Sequence, residues 1–472
     1  MISLYPHQEK FIYELRLALN KNRCVLGQAA TGFGKTQVGA FMVKSCIEKK
    51  KRVFFMVHRR ELIEQTSKTF QRIGIDHGFI QAGRPLDPLL LAQVVSIDTL
   101  VRRLDETKPP DFLIVDECHH LGAAGWTKVH EWAEKAGAYI VGLSATPWRL
   151  DRKGLDRFFV EMVQGPTVKW LIENNYLSRY RIFAPSAPNL ENMKLVGGDY
   201  DKSALEQVMD DKILYGCAVD NWLKIADGKK TIAFCPSVKV SENLAASFRE
   251  IGTPCEHLDG GTNKGRRQQV IKDFADGKIQ IISNVGLFGE GFDLSAIAGR
   301  DVPIEAVILY RPTMSLSLHL QQIGRALRPK LEPAIVLDHA GNCVRHGFPD
   351  DDFKWTLKAR KKKKKSAGAS EDIYQCPECF HVHPPAPACP ECGYVYEKQL
   401  RAGPEVVDGD LKELTKEAVD AMKKRRKLEF VNAKTYEDLV ALGQARGYKA
   451  PAFWAQKVMQ GREEYKAKKK WR

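Results

Sequence analysis

AATGFGKT (29–36) follows the apolar run CVLG (24–27), and the fold turns on how these two pieces are read together. Small residues and glycines after a strand let backbone N–H groups close around phosphate oxygens, at the positive end of the next helix. Ala30, Thr31, Gly32, Phe33, Gly34, Lys35 and Thr36 are therefore the candidate phosphate cradle. Within it, Lys35 suits the outer phosphates and Thr36 suits Mg²⁺. Working outward, further apolar runs alternate with helix-like stretches: VFFMVH (53–58), VVSI (94–97), FLIVDE (112–117) and YIVGLSAT (139–146). Buried runs separated by helices predict an α/β lobe with a parallel sheet. The pattern returns in TIAFC (231–235), IQIISN (279–284), AVILYR (306–311) and AIVLDH (334–339), so a second lobe of the same kind is expected.

The acidic partner of the phosphate loop lies in FLIVDECHH (112–120). Its apolar residues deliver Asp116 and Glu117 to the end of a strand, where ligands collect in open α/β sheets. Asp116 suits Mg²⁺, and Glu117 suits orientation or deprotonation of an attacking water. Together these segments read as a P-loop nucleoside triphosphatase, with Ala29 standing where the usual pattern begins with Gly.

Composition sets the frame. The chain has 472 residues, 44% hydrophobic and 28% charged, which suits two to four packed domains and excludes global disorder. No apolar run of about 18 residues predicts a membrane span, and MISLYPHQEKFIYEL lacks a signal-peptide layout, so a cytoplasmic protein is expected. The net charge is +15, and residues 354–472 carry +11 of it, from 27 Lys+Arg against 16 Asp+Glu. That imbalance points to a polyanion, nucleic acid first.

DECH and AATGFGKT resemble the superfamily-2 helicases and translocases, and more of that set follows in order. LYPHQ (4–8) resembles the adenine-reading motif, with Gln8 as the base contact and Tyr5 where the family usually has Arg. VHRRELIEQT (57–66) and SIDTL (96–100) resemble the strand-gripping motifs, the latter with Asp98 in place of a commoner Gln. The resemblance implies His58, Arg59, Thr99 and the Gly286 backbone as nucleic-acid contacts. LSATP (143–147) resembles the coupling motif, giving Ser144 and Thr146. NVGLFGEGFD (284–293) puts Gly291 and Asp293 near the nucleotide, and QQIGRALRP (321–329) gives Gln321, Arg325 and Arg328. In the family the two arginines reach across the cleft to the γ-phosphate, making hydrolysis of ATP depend on lobe closure. RPTMSLSLHLQQIGRALRP (311–329) and VLDHAGN (336–342) resemble the bacterial and phage RadD-type ATPases.

The resemblance implies two tandem RecA-like parallel-sheet domains, at 1–165 and 211–345, joined by a connector at 166–210. A basic linker at 346–372 holds RKKKKK (360–365), and 373–397 holds a four-cysteine module. A basic, mostly helical tail at 398–472 follows. Of the 11 cysteines, Cys376, Cys379, Cys389 and Cys392 form two C-x-x-C pairs nine residues apart. Such spacing suits structural Zn²⁺, with an iron–sulfur cluster or a redox pair as alternatives and His381 and His383 as further candidate ligands. In the tail, YKAPAFWAQKVM (448–459) either stacks on bases or packs Phe453 and Trp454 as an apolar helix face.

The expected activity is an ATP- and Mg²⁺-dependent DNA helicase or translocase in replication, recombination or repair. Single-stranded or branched DNA is the expected partner, with a single-strand-binding or recombination protein as a further one. Three alternatives stay open: a DNA-structure-binding ATPase switch that moves proteins without unwinding, an RNA helicase, and the motor of a restriction complex.

Overall fold

The computed structural model describes residues 3–149, 151, 153–184, 193, 195–210, 212–289 and 294–359, with shorter stretches at 374–375, 382–383, 412–414, 429–430, 432–446, 451–456 and 458–460. The chain divides into two compact units, Met1–Arg360 with Pro404–Glu413, and Lys361–Gly403 with Leu414–Arg472.

The first unit contains two seven-stranded sheets. The first sheet is built from β1 (Cys24–Gln28), β2 (Val53–Val57), β3 (His77–Ile80), β4 (Ala92–Ser96), β5 (Phe112–Asp116), β6 (Tyr139–Ser144) and β7 (Glu161–Gln164). Its order is β3-β4-β2-β5-β6-β1-β7, with every pairing parallel. β1 and β2 are buried along their whole length, as strands covered on both faces by crossover helices must be. The register sets Asp116 of β5 beside Leu143 of β6, and Gln28 of β1 beside Ser144 of β6. The strand ends bearing the phosphate loop, the acidic pair and LSATP therefore share one edge of the sheet.

β8 (Tyr180–Ala184) is followed by a short antiparallel hairpin, β9 (Leu195–Val196) and β10 (Asp199–Tyr200). The second sheet adds β11 (Thr231–Phe234), β12 (Cys255–Leu258), β13 (Ile281–Asn284), β14 (Ala306–Leu309) and β15 (Ala334–Asp338). β16 (Tyr374–Gln375) and β17 (Val382–His383) form a two-stranded antiparallel sheet of their own, and β18 is Lys412–Leu414. The second sheet runs β12-β13-β11-β14-β15-β8-β18. The stretch expected as a connector thus contributes a strand, because β8 pairs in parallel with β15. Its FAP-side residues Ile182, Phe183 and Ala184 are buried there. Each sheet has its own core, around Leu26, Phe54, Val115 and Phe159 in the first and Trp222, Phe248, Ile308 and Leu337 in the second.

In the second unit, Thr435 and Asp438 form a reciprocal capping box that starts the helix Tyr436–Ala445. Leu439, Ala433 and Ala455 are buried, and Trp454 packs on that cluster with its ring 6.1 Å from that of Phe430. Trp454 is thus packed within the tail, while Lys449 and Lys457 lie outside the described residues. The four cysteines of the C-x-x-C pairs, with Gly291 and Asp293, also lie outside them.

Candidate nucleotide-hydrolysis site

The phosphate loop is shaped by two glycines in the left-handed region, Gly32 at φ +86° and Gly34 at φ +91°. A Cβ on Gly34 would stand 2.6 Å from Gln8 Nε2, and one on Gly32 would stand 2.7 Å from Leu177 Cδ2. Neither position has conformational or steric room for a side chain. The loop then enters the helix Lys35–Glu48, whose first N–H groups point at the cradle. Ala29, at the variant first position, is fully buried and donates its N–H to Ser144 O at 3.0 Å, which stitches the loop to β6. Phe33 is buried against Phe11 and His7, with ring centroids at 5.2 and 5.3 Å.

Gln8 locks this loop. Its Nε2 donates to Phe33 O at 2.7 Å and its Oε1 accepts from Tyr5 N at 3.0 Å. Lys35 Nζ folds back to donate to Ala29 O at 3.4 Å, a long contact that a phosphate oxygen would replace. Thr31, Thr36 and Ala30 complete the cradle.

Asp116 ends β5 and is buried; its Oδ1 accepts from Glu117 N at 3.1 Å. Burial, and then the neighbouring Glu117 charge, push its carboxyl up to about 6, against the opposing charges of Lys35 and His58. A divalent cation would restore the ionised form. Glu117 takes φ +50°, a left-handed conformation uncommon outside glycine. That turn sets its carboxylate 3.3 Å from His119 Nδ1. The same nitrogen lies 3.1 Å from Ser144 Oγ, which accepts from Thr146 N at 3.1 Å. Thr146 Oγ1 lies 2.6 Å from Ser317 Oγ, on the helix Leu316–Gly324 of the second lobe. A continuous polar relay therefore runs from Glu117 to the other lobe. Sequence reading missed His119 and Ser317. The fourth letter of DECH was a signal for the former; Ser317 is 171 residues from its partner and carried none.

The second lobe supplies Gln321, Arg325 and Arg328. Gln321 is 2% exposed, and neither its Oε1 nor its Nε2 has a hydrogen-bond partner among the described residues. Arg325 Nε donates to Gly289 O at 3.1 Å, and Arg328 Nη1 to Ser295 Oγ, on the helix Leu294–Ala298, at 3.3 Å, so both guanidiniums are held by their own lobe. Gly324, beside Arg325, abuts the phosphate loop: a Cβ there would stand 2.3 Å from Thr31 Cγ2. The glycines, the back-folded lysine and the unsatisfied amide of Gln321 fit a nucleoside triphosphate with its Mg²⁺.

Two expected nucleic-acid positions meet each other. Arg59 Nη1 donates to Gly286 O at 2.8 Å across the lobes, and Arg59 Nε reaches His58 Nε2 at 3.2 Å. Thr99 is buried, and its Oγ1 accepts from Ala82 N at 3.1 Å.

Two parallel-sheet lobes with one phosphate loop, one acidic pair and one arginine-bearing segment define a two-lobed, ATP-hydrolysing enzyme. The chain belongs to the superfamily-2 helicases. Residues 1–149 match the family described as type III restriction enzyme, res subunit, and residues 216–330 match the helicase conserved C-terminal domain. It is similar to a 51.5 kDa protein of Lactococcus phage (isolate 7-9), 31% identical over 83% of this chain and 82% of that protein. It is also similar to IRC3 of Saccharomyces cerevisiae, a protein named as an ATP-dependent helicase. That match is 26% identical and covers 63% of this chain but less than half, 45%, of the yeast protein. In fold it is similar to the ATP-dependent type ISP restriction-modification enzyme LlaBIII bound to DNA. The TM-score is 0.53 and the identity 16%, over 72% of this chain and 28% of that one. Among the described residues no helix is long and apolar enough to cross a membrane.

Proposed function

We propose that this protein couples Mg-ATP hydrolysis to movement on, or remodelling of, DNA. The observation that carries this reading is the relay Glu117–His119–Ser144–Thr146–Ser317, which links the hydrolytic carboxylate to the opposite lobe. Hydrolysis sensed at Glu117 is thereby felt where the lobes meet, as a motor requires. DNA rather than RNA is favoured by the restriction-enzyme description matched by residues 1–149 and by the DNA-bound enzyme of similar fold.

In this reading Lys35 and the loop N–H groups bind the phosphates, Gln8 and Tyr5 flank the base, and Gly291 and Asp293 border the nucleotide from the second lobe. Thr36 and Asp116 would hold Mg²⁺, which supplies charge neutralisation on the phosphoryl group when bound. Glu117 orients and deprotonates the attacking water, and Gln321, Arg325 and Arg328 stabilise charge on the transferring group. For the arginines this requires leaving Gly289 and Ser295 as the lobes close. Arg59 must likewise release Gly286 for both to grip the phosphate backbone, with His58 beside Arg59, and the buried Thr99 would contribute by holding Ala82. Ser144 and Thr146 transmit the change. Four thiolates at Cys376, Cys379, Cys389 and Cys392 suit a structural Zn²⁺, and the antiparallel β16–β17 pair brackets the first two in sequence. The basic tail adds salt-sensitive affinity for single-stranded or branched DNA. Replication, recombination or repair in the cytoplasm of a bacterial or phage-infected cell is the setting, with a single-strand-binding or recombination protein as partner.

The test is steady-state ATP hydrolysis with matched single-stranded, duplex and forked DNA and with RNA, using Lys35→Ala and Glu117→Gln as controls. DNA-specific stimulation lost in both variants is expected. Stimulation by RNA alone overturns the DNA reading, and normal hydrolysis by Lys35→Ala overturns the site.

A further inference from the structure

Three consecutive residues, Tyr176, Leu177 and Ser178, touch three separate parts of the nucleotide site. They follow the helix Val168–Glu173, which is ended by Asn175 at φ +60°. The turn is fixed by backbone bonds to one carbonyl: Tyr176 N donates to Leu171 O at 2.8 Å and Leu177 N to the same oxygen at 3.1 Å. The segment is thus held as a rigid corner, not a slack connection.

From that corner each side chain goes a different way. The Tyr176 ring lies 4.1 Å from His7 and 5.1 Å from Tyr5, on either side of the helix start that carries Gln8. Leu177, 2% exposed, fills the space over Gly32 of the phosphate loop. Ser178, 4% exposed, donates its N–H to Leu327 O at 2.9 Å and its Oγ to Ala326 O at 3.4 Å. Ala326 and Leu327 are the two residues between Arg325 and Arg328. Lys330 secures the same corner, with Nζ donating to Ser178 Oγ at 3.2 Å and to Ala326 O.

We infer that residues 176–178 form a positioning strut, which sets Arg325 and Arg328 of the second lobe in register with the phosphate loop of the first. The inference rests on the hydrolytic reading of the site. Its physical basis is rigidity: the arginine segment hangs from Ser178, while the adjacent Leu177 is wedged on the loop. A shift of the loop is transmitted to the arginines within one residue of chain. The covalent path between the same two places otherwise runs through both lobes.

The strut predicts an ordered split in kinetics. In the full-length protein, Ser178→Ala should lower kcat about 5-fold, the effect of losing the long Oγ contacts to Ala326 O and Lys330 Nζ while the backbone bond to Leu327 stays, with KM for ATP and affinity for a fluorescent ADP analogue within about 2-fold. Ser178→Thr should restore kcat. Leu177→Ala should instead raise KM for ATP about 5-fold, because it loosens the loop itself. In an Arg325→Ala, Arg328→Ala background Ser178→Ala should have no further effect on the residual hydrolysis, since it acts through those two arginines. Additive losses in that background, or an equal fall in ADP-analogue affinity, overturn the strut. Absence of hydrolysis by the unmodified protein overturns the reading of the site itself, and the strut with it.

Discussion

Gln321 shows how function sets stability at the level of one residue. A buried amide with neither end paired costs about 1–3 kcal/mol, and the fold keeps it at 2% exposure beside Arg325. Gln321→Leu keeps the volume and removes the unpaired groups. The nucleotide-free protein should gain about 1 kcal/mol, read as a higher thermal midpoint, while kcat for ATP falls about 100-fold. A variant that is both less stable and inactive would show that the amide has a structural partner. Glu117 carries a related cost in its left-handed backbone, which aims the carboxylate at His119. The local parts of this site were legible in the sequence, because AATGFGKT and FLIVDE each place their own side chains by strand and loop geometry. The relay was not, since Thr146 and Ser317 meet only after both sheets have formed.

At the scale of elements, the helix Leu316–Gly324 is anchored by His319, which is buried and donates from Nε2 to Gly347 O at 3.3 Å. Burial, and then the neighbouring His346, hold its imidazole down to about 3. His339, after β15, is held down to about 4 by burial. Both are neutral in the fold and have an unfolded pKa of about 6.5. The unfolded chain therefore binds protons that the fold refuses, so this stability is present above about 6.5 and is lost as pH falls toward 4. Each histidine should cost about 2 kcal/mol by about pH 5. Denaturant unfolding across that window should show the loss, and His319→Gln should remove about half of it; an unchanged slope in the variant would assign the loss to other groups. Legibility at this scale follows burial. The runs at β1, β2, β5, β6, β11, β14 and β15 stand out because both faces are covered. HGFI (β3), EMVQ (β7) and CEHL (β12) do not, since they are short and only partly buried.

In the first unit as a whole, the two lobes are joined by more than the cleft. After the second lobe, residues 353–358 return to the first. Trp355 packs on Trp148, the residue after LSATP, with ring centroids 4.5 Å apart. Leu357 packs against the first lobe's core, and its carbonyl accepts from Leu155 N at 2.7 Å and Asp156 N at 3.2 Å. A Cβ on Gly154 would stand 2.5 Å from that carbonyl, so the strap lies directly on the backbone. This strap joins the lobes outside the contacts Thr146–Ser317 and Arg59–Gly286, which in the proposed motor change as the cleft opens. Replacing Trp355 and Leu357 together with Ala removes about 2–5 kcal/mol of coupling between lobes. Each sheet retains its own core, so the expected result is loss of cooperativity rather than collapse. Calorimetry of the nucleotide-free protein should then resolve two transitions in the double variant, and saturating a non-hydrolysable ATP analogue should merge them again by closing the cleft. Two transitions that stay apart with the analogue bound would mean that the strap, not the nucleotide, is what makes the lobes one body.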